Sequence, residues 1–202
     1  SLSALIARGE SSSAGYEAYN AGTKNTGGKV RHGGRYAGLT NMTINEILAS
    51  GSSGDGNTKS RIFAAGKYQF ITPTLRGLKD NLKLSGDEKF TPAMQERLFM
   101  ENLPKAVKKY VSGKSNNLQA AQIALAAEWR SVADPRTGKT YADGGAGANK
   151  ASISVEQSAR ALDEMRRANT SGQATNFVSQ SSNAQRLANT TNNSNSKHIE
   201  VA

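Results

Sequence analysis

Hydrophobic positions recur at helical spacing through most of the first 168 residues. After a first helix that ends near Glu10, this spacing predicts five more helices, over residues 43–50, 73–84, 92–111, 117–132 and 154–168. Thr43 with Glu46, and Ser154 with Gln157, have the pattern of a capping box, which marks the start of two of these helices. The pattern therefore predicts a mainly helical chain.

Two stretches lack that spacing. Apart from the helix at 43–50, residues 14–60 are rich in glycine and polar side chains, and they predict a small lobe with room for a short β-hairpin. The last 34 residues contain 20 Asn, Ser, Thr or Gln, a composition that buries too little apolar surface to offset the entropy of ordering. We therefore expect a mainly α (α+β) domain over residues 1–168, with a helical bundle lobe and a Gly-rich lobe, and a polar linker or tail over residues 169–202.

Glu10 is the first candidate for chemistry. Leu2, Leu5 and Ile6 share its helix face, and Gly9 with the polar residues after Glu10 ends the helix there. A carboxyl group in apolar surroundings resists ionisation, and a general acid must keep its proton near neutral pH. The alternative is a half-exposed glutamate at a frayed helix end, with no chemical role.

A second candidate segment precedes the third helix. Gly66 allows a tight turn, Tyr68 offers a stacking surface, and Gln69 offers an amide that can both donate and accept hydrogen bonds. Thr72 and Pro73 have the pattern of an N-cap followed by the first helical residue. A polar pair between a glycine turn and a capped helix is well placed to line a cleft.

Four short blocks occur in a characteristic order: Glu-Ser-Ser at 10–12, Ala-Gly-Lys-Tyr-Gln-Phe at 65–70, Phe-Thr-Pro-Ala-Met-Gln at 90–95 and Glu-Trp-Arg-Ser at 128–131. Together they resemble the signature blocks of the lysozyme-like superfamily. They look like those of phage lambda-type lysozymes and of the muramidase domains of phage tail (tape-measure) and type VI secretion spike proteins. The resemblance covers residues 1 to about 168. The fourth block matches in part, because Glu128 stands where the family has a small residue.

The resemblance implies a lysozyme-like fold and a muramidase, which cleaves the β-1,4 bond between N-acetylmuramic acid and N-acetylglucosamine in bacterial peptidoglycan. It implies that Glu10 is the catalytic acid, that Tyr68 and Gln69 position sugars, and that no cofactor is needed.

Three other aromatic residues are candidates for stacking on sugars, namely Tyr19, Trp129 and Tyr141. Trp129 lies on the apolar side of its predicted helix, so a position in the core suits it equally well.

Asp55 is the candidate for a second catalytic carboxylate. It lies in a Gly-rich run between the acid helix and the Tyr-Gln block, which is the chain order of two-carboxylate lysozymes; an ordinary Asp-Gly turn is the alternative. A second carboxylate favours hydrolysis, which is our expectation. Lambda-type enzymes instead let the sugar's own 6-hydroxyl attack, as lytic transglycosylases that release 1,6-anhydro products. A third possibility is a non-catalytic glycan-binding or structural module.

Charge and composition restrict the classes of partner that the chain is expected to bind. A net charge of +10 and a pI of about 9.9 predict an anionic partner; the bacterial wall fits, whereas the sequence has no recognisable nucleic-acid-binding motif. The chain has no cysteine, and its two histidines lie far apart without a metal-binding pattern, so we expect no metal. No apolar run approaches the roughly 20 residues of a membrane span.

The chain begins at Ser1, inside a helical pattern, and we therefore expect an excised or processed domain. The resemblance implies that it is part of a larger phage or secretion protein. Its expected location is then a phage virion or a secreted effector, acting in the periplasm or cell wall of a target bacterium.

Overall fold

The computed structural model describes residues 1–23, 30–31, 34–52, 61–141 and 151–172. In this part of the chain helices predominate, and short strands form a three-stranded and a two-stranded antiparallel sheet. The prediction of a mainly helical chain with a small amount of β structure is confirmed at this level.

The described α-helices number seven: α1 (Leu2–Glu10), α2 (Ile44–Ser52), α3 (Thr72–Asn81), α4 (Pro92–Asn102), α5 (Lys105–Val111), α6 (Leu118–Glu128) and α7 (residues 155–172). Two 3₁₀ helices cover Ser12–Glu17 and Leu39–Asn41.

Both predicted capping boxes are present. The Thr43 hydroxyl accepts a hydrogen bond from the Glu46 backbone N–H at 3.2 Å, and the Glu46 carboxylate accepts one from the Thr43 N–H at 2.7 Å. Ser154 and Gln157 make the same reciprocal pair at 3.2 and 3.0 Å. Each pair satisfies two backbone donors that have no partner within the helix.

Three predicted helix boundaries are wrong. The helix predicted over 92–111 is two helices, because Pro104 has no N–H to donate and Leu103 before it takes an extended ψ of 127°. The helix predicted to reach 132 stops at Glu128, where Trp129 is extended. The last helix continues to residue 172, so the domain end expected at 168 falls inside it.

The start of α3 also differs by one residue from the prediction. The N-cap is Ile71, and its side chain makes no capping hydrogen bond; Thr72 is the first helical residue, and Pro73 follows within the first turn. The Thr72 hydroxyl instead donates to the Phe63 carbonyl at 3.4 Å.

The strands are two residues long: β1 (Tyr19–Asn20), β2 (Gly22–Thr23), β3 (Val30–Arg31), β4 (Ala64–Ala65) and β5 (Phe70–Ile71). β2 pairs with β3 inside the Gly-rich region, where a short hairpin was expected. The order of the other sheet is β1-β4-β5, with Ala65 opposite both Tyr19 and Phe70. This sheet joins the Gly-rich lobe to the segment that carries Tyr68 and Gln69.

The buried core is continuous from α1 to α7. Leu2 and Ile6 anchor α1 in it, and the aromatic centre is formed by Tyr68, Phe70, Phe90, Phe99 and Trp129. α6 packs against α5, with Ala121 and Ala126 buried where small side chains allow close approach. The core therefore fixes α1 relative to the segment around Tyr68.

Candidate active site

α1 delivers Glu10 to the surface of the core. Its N-cap is Ser1, Leu2 and Ile6 hold its inner face, and the helix ends at Glu10, as the spacing predicted. Ser11 closes the end of the helix: its backbone N–H and its hydroxyl both donate to the Ala7 carbonyl, at 2.9 and 3.1 Å. Glu10 is therefore held at a well-defined helix end.

Glu10 is half-buried, and within the described part of the chain its hydrogen-bond donors come from one residue. The Ser131 hydroxyl donates to Oε1 at 2.6 Å. Burial raises the pKa of Glu10 above the ordinary glutamate value, and the hydrogen bonds from the Ser131 side chain and backbone offset only part of that rise. The carboxyl group is thus biased towards the protonated form.

Gly9 makes the contact between Glu10 and Ser131 possible. A Cβ at Gly9 would lie 2.6 Å from both Cβ and Oγ of Ser131, and 3.0 Å from Cδ1 of Ile153. Any side chain there would force the Ser131 segment away from α1. The glycine that the sequence suggested as a helix terminator therefore serves close packing instead.

A cleft of about 780 Å³ lies beside Glu10. Its walls come from the end of α1, from β1, from the β4–β5 hairpin and α3, from the end of α4, and from the segment that follows α6. The residues that line it are Gly9, Glu10, Asn20, Phe63, Ala64, Tyr68, Gln69, Phe70, Ile71, Thr74, Asn102, Ala127, Glu128, Trp129, Arg130, Ser131 and Ser152. Amide, hydroxyl and charged groups suited to polar ligands thus alternate with apolar ones.

The turn before Gln69 is built around a glycine, as predicted. Gly66 has a φ of +76°, and a Cβ there would lie 2.3 Å from the Gln95 side-chain oxygen. Gln95 is fully buried; its amide donates to the Phe90 and Tyr16 carbonyls and accepts from the Lys67 N–H. The turn is therefore fastened to the start of α4.

Gln69 lines the cleft, but part of its amide is already engaged. It takes a left-handed backbone conformation, with a φ of +50°, and its side-chain NH₂ donates to the Gly66 carbonyl at 2.8 Å. This bond fixes the orientation of the amide and leaves its oxygen available for a ligand.

Tyr68 differs from its prediction. Its side chain is only 1% exposed, and its ring stacks on Phe99 with centroids 4.2 Å apart. Its hydroxyl donates to Glu96 at 2.7 Å. Tyr68 thus borders the cleft as a core residue, and because its ring stacks on Phe99 and is almost fully covered it is poorly placed for stacking on a sugar.

The other aromatic candidates are of two kinds: one borders the cleft but is buried, and two do not line the cleft. Trp129 borders the cleft, yet it is 4% exposed and packs against Phe99 at 5.5 Å, so the core interpretation is the better one. Tyr19 makes an edge contact with Tyr36, and Tyr141 is exposed beside the Arg136 guanidinium. Neither Tyr19 nor Tyr141 is among the described residues that line the cleft.

The second carboxylate at the cleft is one that the sequence interpretation passed over. Asp55 lies outside the described residues. Glu128 lines the cleft from the end of α6, and its Oε1 accepts a hydrogen bond of 2.7 Å from Nδ2 of Asn102. Its departure from the family block was visible in the sequence, but the fold was needed to bring it to the same cleft as Glu10.

No protein-family model, curated protein or solved structure matches this chain. The likeness to lysozymes therefore rests on the four sequence blocks.

The described residues lack two further features. No group of three or more His, Cys, Asp or Glu in this part of the chain is arranged to hold a metal ion. Nor does any described helix have the length and apolarity needed to cross a membrane.

Proposed function

We propose that this chain is a peptidoglycan-cleaving glycosidase that cuts the β-1,4 bond between N-acetylmuramic acid and N-acetylglucosamine. The observation that carries the proposal is Glu10, a carboxyl group with a raised pKa at the edge of a polar cleft. In the proposed reaction Glu10 gives its proton to the glycosidic oxygen as the bond from that oxygen to the sugar C1 breaks.

The rest of the cleft suits a sugar polymer. Its volume falls within the usual range for ligand sites, about 300–1,000 Å³. Asn20, Gln69, Asn102 and Ser152 bring amide and hydroxyl groups to its walls, and these are the groups that hydrogen-bond sugar hydroxyls and acetamido groups. With Tyr68 and Trp129 packed in the core, polar contacts rather than aromatic stacking would hold the glycan.

Charge supports a wall substrate. Residues 1–168 contain 24 Lys and Arg against 15 Asp and Glu, so nearly all of the excess positive charge lies in residues 1–168 rather than in residues 169–202. Wall peptides and polymers carry carboxylate and phosphate groups, which would attract such a protein over a Debye length. A phage virion or a secreted effector remains the proposed setting, as part of a larger phage or secretion protein.

Clearing of a suspension of purified peptidoglycan tests the proposal. Wild type should clear it, and Glu10→Gln should lower the rate by about 100-fold or more, because general acid catalysis contributes about 10²–10⁴-fold. Glu164→Gln is the matched control, since Glu164 is exposed and its ion pair is with the amino terminus; it should behave like wild type.

Two outcomes contradict the proposal. If wild type binds peptidoglycan but releases nothing, the chain is a glycan-binding module instead. If Glu10→Gln keeps more than about a tenth of the activity, a different group is the acid.

A further inference from the structure

Glu128 has a setting unlike that of any other carboxylate in the described residues. It is the last residue of α6, it is exposed, and it lines the same cleft as Glu10. Asn102, the last residue of α4 and also in the cleft wall, donates to Oε1 at 2.7 Å. In the described part of the chain Oε2 has no hydrogen-bond donor, so it is open to the cleft solvent.

The segment from 128 to 131 connects Glu128 to Ser131, the residue that hydrogen-bonds Glu10. Trp129 is extended and buries its ring in the core, so Glu128 and Arg130 on either side of it face outward. Ser131, three residues after Glu128, hydrogen-bonds Glu10. Three residues span at most about 11 Å between α-carbons, so Glu128 lies close along the chain to the residue that bonds Glu10, and both glutamates line the same cleft.

The two groups also differ in the way that a catalytic pair requires. Glu10 is half-buried, with its pKa raised, and can supply a proton. Glu128 is exposed, with one oxygen oriented by Asn102 and the other unengaged, and can accept one. In glycosidases that invert the anomeric centre, an acid and a base stand about 6.5–9.5 Å apart, with a water between the base and the sugar.

We propose that Glu128 is the second catalytic carboxylate, acting as the base for an attacking water. This inference rests on the function proposed above and specifies its mechanism. The water oxygen forms a bond to C1 and passes a proton to Glu128, while the bond from C1 to the glycosidic oxygen breaks and that oxygen takes the proton of Glu10. The products are a reducing sugar with inverted C1 and a free 4-hydroxyl, and proton exchange with solvent resets both carboxyl groups.

Glu128→Gln is the first test, because glutamine keeps the oxygen that accepts from Asn102 but cannot take a proton. We expect kcat for the release of reducing ends from purified peptidoglycan to fall by about 100-fold or more, with KM nearly unchanged. An activity within about threefold of wild type overturns the inference, and so does a loss confined to KM.

Glu128→Ala with added azide separates chemistry from structure. Azide needs no base, so it should restore cleavage and leave an α-glycosyl azide on the new end, detectable by mass and by NMR. Asn102→Ala is the matched control: it removes the tie between α4 and α6 but keeps the carboxylate. It should reduce activity less than Glu128→Ala does, and azide should not increase it. Equal losses in the two variants, or no rescue of Glu128→Ala, mean that Glu128 is only structural.

The wild-type products complete the test. Reducing ends that appear first as the α-anomer support the proposal, whereas 1,6-anhydro ends or a first β-anomer overturn it. If wild type cleaves and Glu10→Gln does not, but Glu128→Gln does, only the role of Glu128 is wrong. If wild type cleaves nothing, the proposed function fails, and the role of Glu128 fails with it.

Discussion

Two glutamates lie near opposite ends of α1, and their pKa values are shifted in opposite directions: Glu10 is its last residue, and Glu96 bonds Ser3 near its start. Among the described residues only Ser131 donates to Glu10, and burial raises the pKa of Glu10. Burial alone would raise the pKa of Glu96 too, but its donors outweigh burial and hold that pKa below the usual range. Glu10 is more deeply buried and has fewer donors, whereas Glu96 has several side-chain donors and the positive charge of Lys67 beside it; these differences together shift the two pKa values in opposite directions.

Glu96 belongs to a polar group that we name the Glu96 cluster, formed by Ser3, Tyr16, Lys67, Tyr68 and Glu96. Oε1 accepts from the Lys67 ammonium at 2.7 Å, from the Tyr68 hydroxyl at 2.7 Å and from the Tyr16 hydroxyl at 2.9 Å, while Oε2 accepts from Ser3 at 3.2 Å. Burial, together with the charge of Glu96, raises the pKa of Tyr68 to about 12, so the phenol remains a donor.

The Glu96 cluster and Glu10 are connected through α1. The cluster joins α1, through Ser3, to the turn of the β4–β5 hairpin and to α4. Glu10 is at the other end of α1, two helical turns from Ser3. The glutamate with the lowered pKa thus bonds the start of the helix whose last residue is the glutamate with the raised pKa.

The largest expected effect is on activity. Glu10→Gln should reduce peptidoglycan cleavage by about 100-fold or more, whereas Glu96→Gln should reduce it by less than about tenfold, because Glu96 does not line the cleft. Initial rates at equal folded protein concentration measure both. Equal losses would mean that the two carboxyl groups do not have separate roles.

Of the two substitutions, Glu96→Gln rather than Glu10→Gln should lower the stability of the fold. At neutral pH Glu96→Gln should lower the free energy of unfolding by roughly 1–2 kcal/mol, a value reduced by the partial exposure of the ion pair with Lys67. Glu10→Gln should raise it, because an ionised Glu10 is disfavoured in the folded state. Urea unfolding of both variants at neutral pH measures the difference, and destabilisation by Glu10→Gln would contradict it.

The contributions of Glu96 and Glu10 to stability should change with pH in opposite directions. The folded pKa of Glu96 is lowered, so its stabilisation is present above its unfolded pKa and is lost as pH falls through the folded pKa. The folded pKa of Glu10 is raised, so its stabilisation is full below the unfolded pKa and is lost as pH rises through the folded one. Acid should therefore shrink the effect of Glu96→Gln on unfolding.

Gly9→Ala tests the close contact that shields Glu10. The new methyl group would overlap Ser131, and we expect a loss of about 1–3 kcal/mol together with lower activity. Gly77→Ala is the matched control in α3, where a Cβ meets nothing within 4 Å; it should stabilise by about 0.5–1 kcal/mol. Thermal melting of both variants measures the change in stability. If Gly9→Ala is as stable as wild type, the contact between Gly9 and Ser131 is not tightly packed.

The smallest effect is expected from Ser131→Ala. The Ser131 hydroxyl lowers the pKa of Glu10, so its removal should raise that pKa further. Activity should persist with a modest loss, and the alkaline limb of the pH–rate profile, where Glu10 loses its proton, should move to higher pH. Ser152→Ala, at another position in the cleft wall, should leave that limb in place. A shift to lower pH would mean that Glu10 is not the titrating acid.

Local patterns were enough to predict parts of this arrangement. The end of α1 at Glu10, the glycine turn at Gly66 and both capping boxes depend on residues within a few positions of each other. The burial of Tyr68 was not predictable in this way. Its hydroxyl donates a hydrogen bond to Glu96, which is 28 residues further along the chain.

The same limit applies to the cleft. Glu128 reaches it because α6 stops one turn earlier than its alanine-rich pattern suggested, and that stop depends on Trp129 entering the core. A short hairpin was expected in the Gly-rich region, but the positions of the two-residue strands were not predicted, because such strands are too short to show an alternating pattern. Tertiary contacts, not local propensity, supplied these features.

A ¹³C NMR titration that follows the side-chain carboxyl groups of Glu10 and Glu96 in the same sample tests the central claim most directly. Glu10→Gln and Glu96→Gln assign the two signals. We expect Glu10 to titrate above the ordinary glutamate value of 4.5 and Glu96 to titrate below it. A Glu10 midpoint at or below that of Glu96 would contradict the claim that Glu10 is kept protonated for acid catalysis.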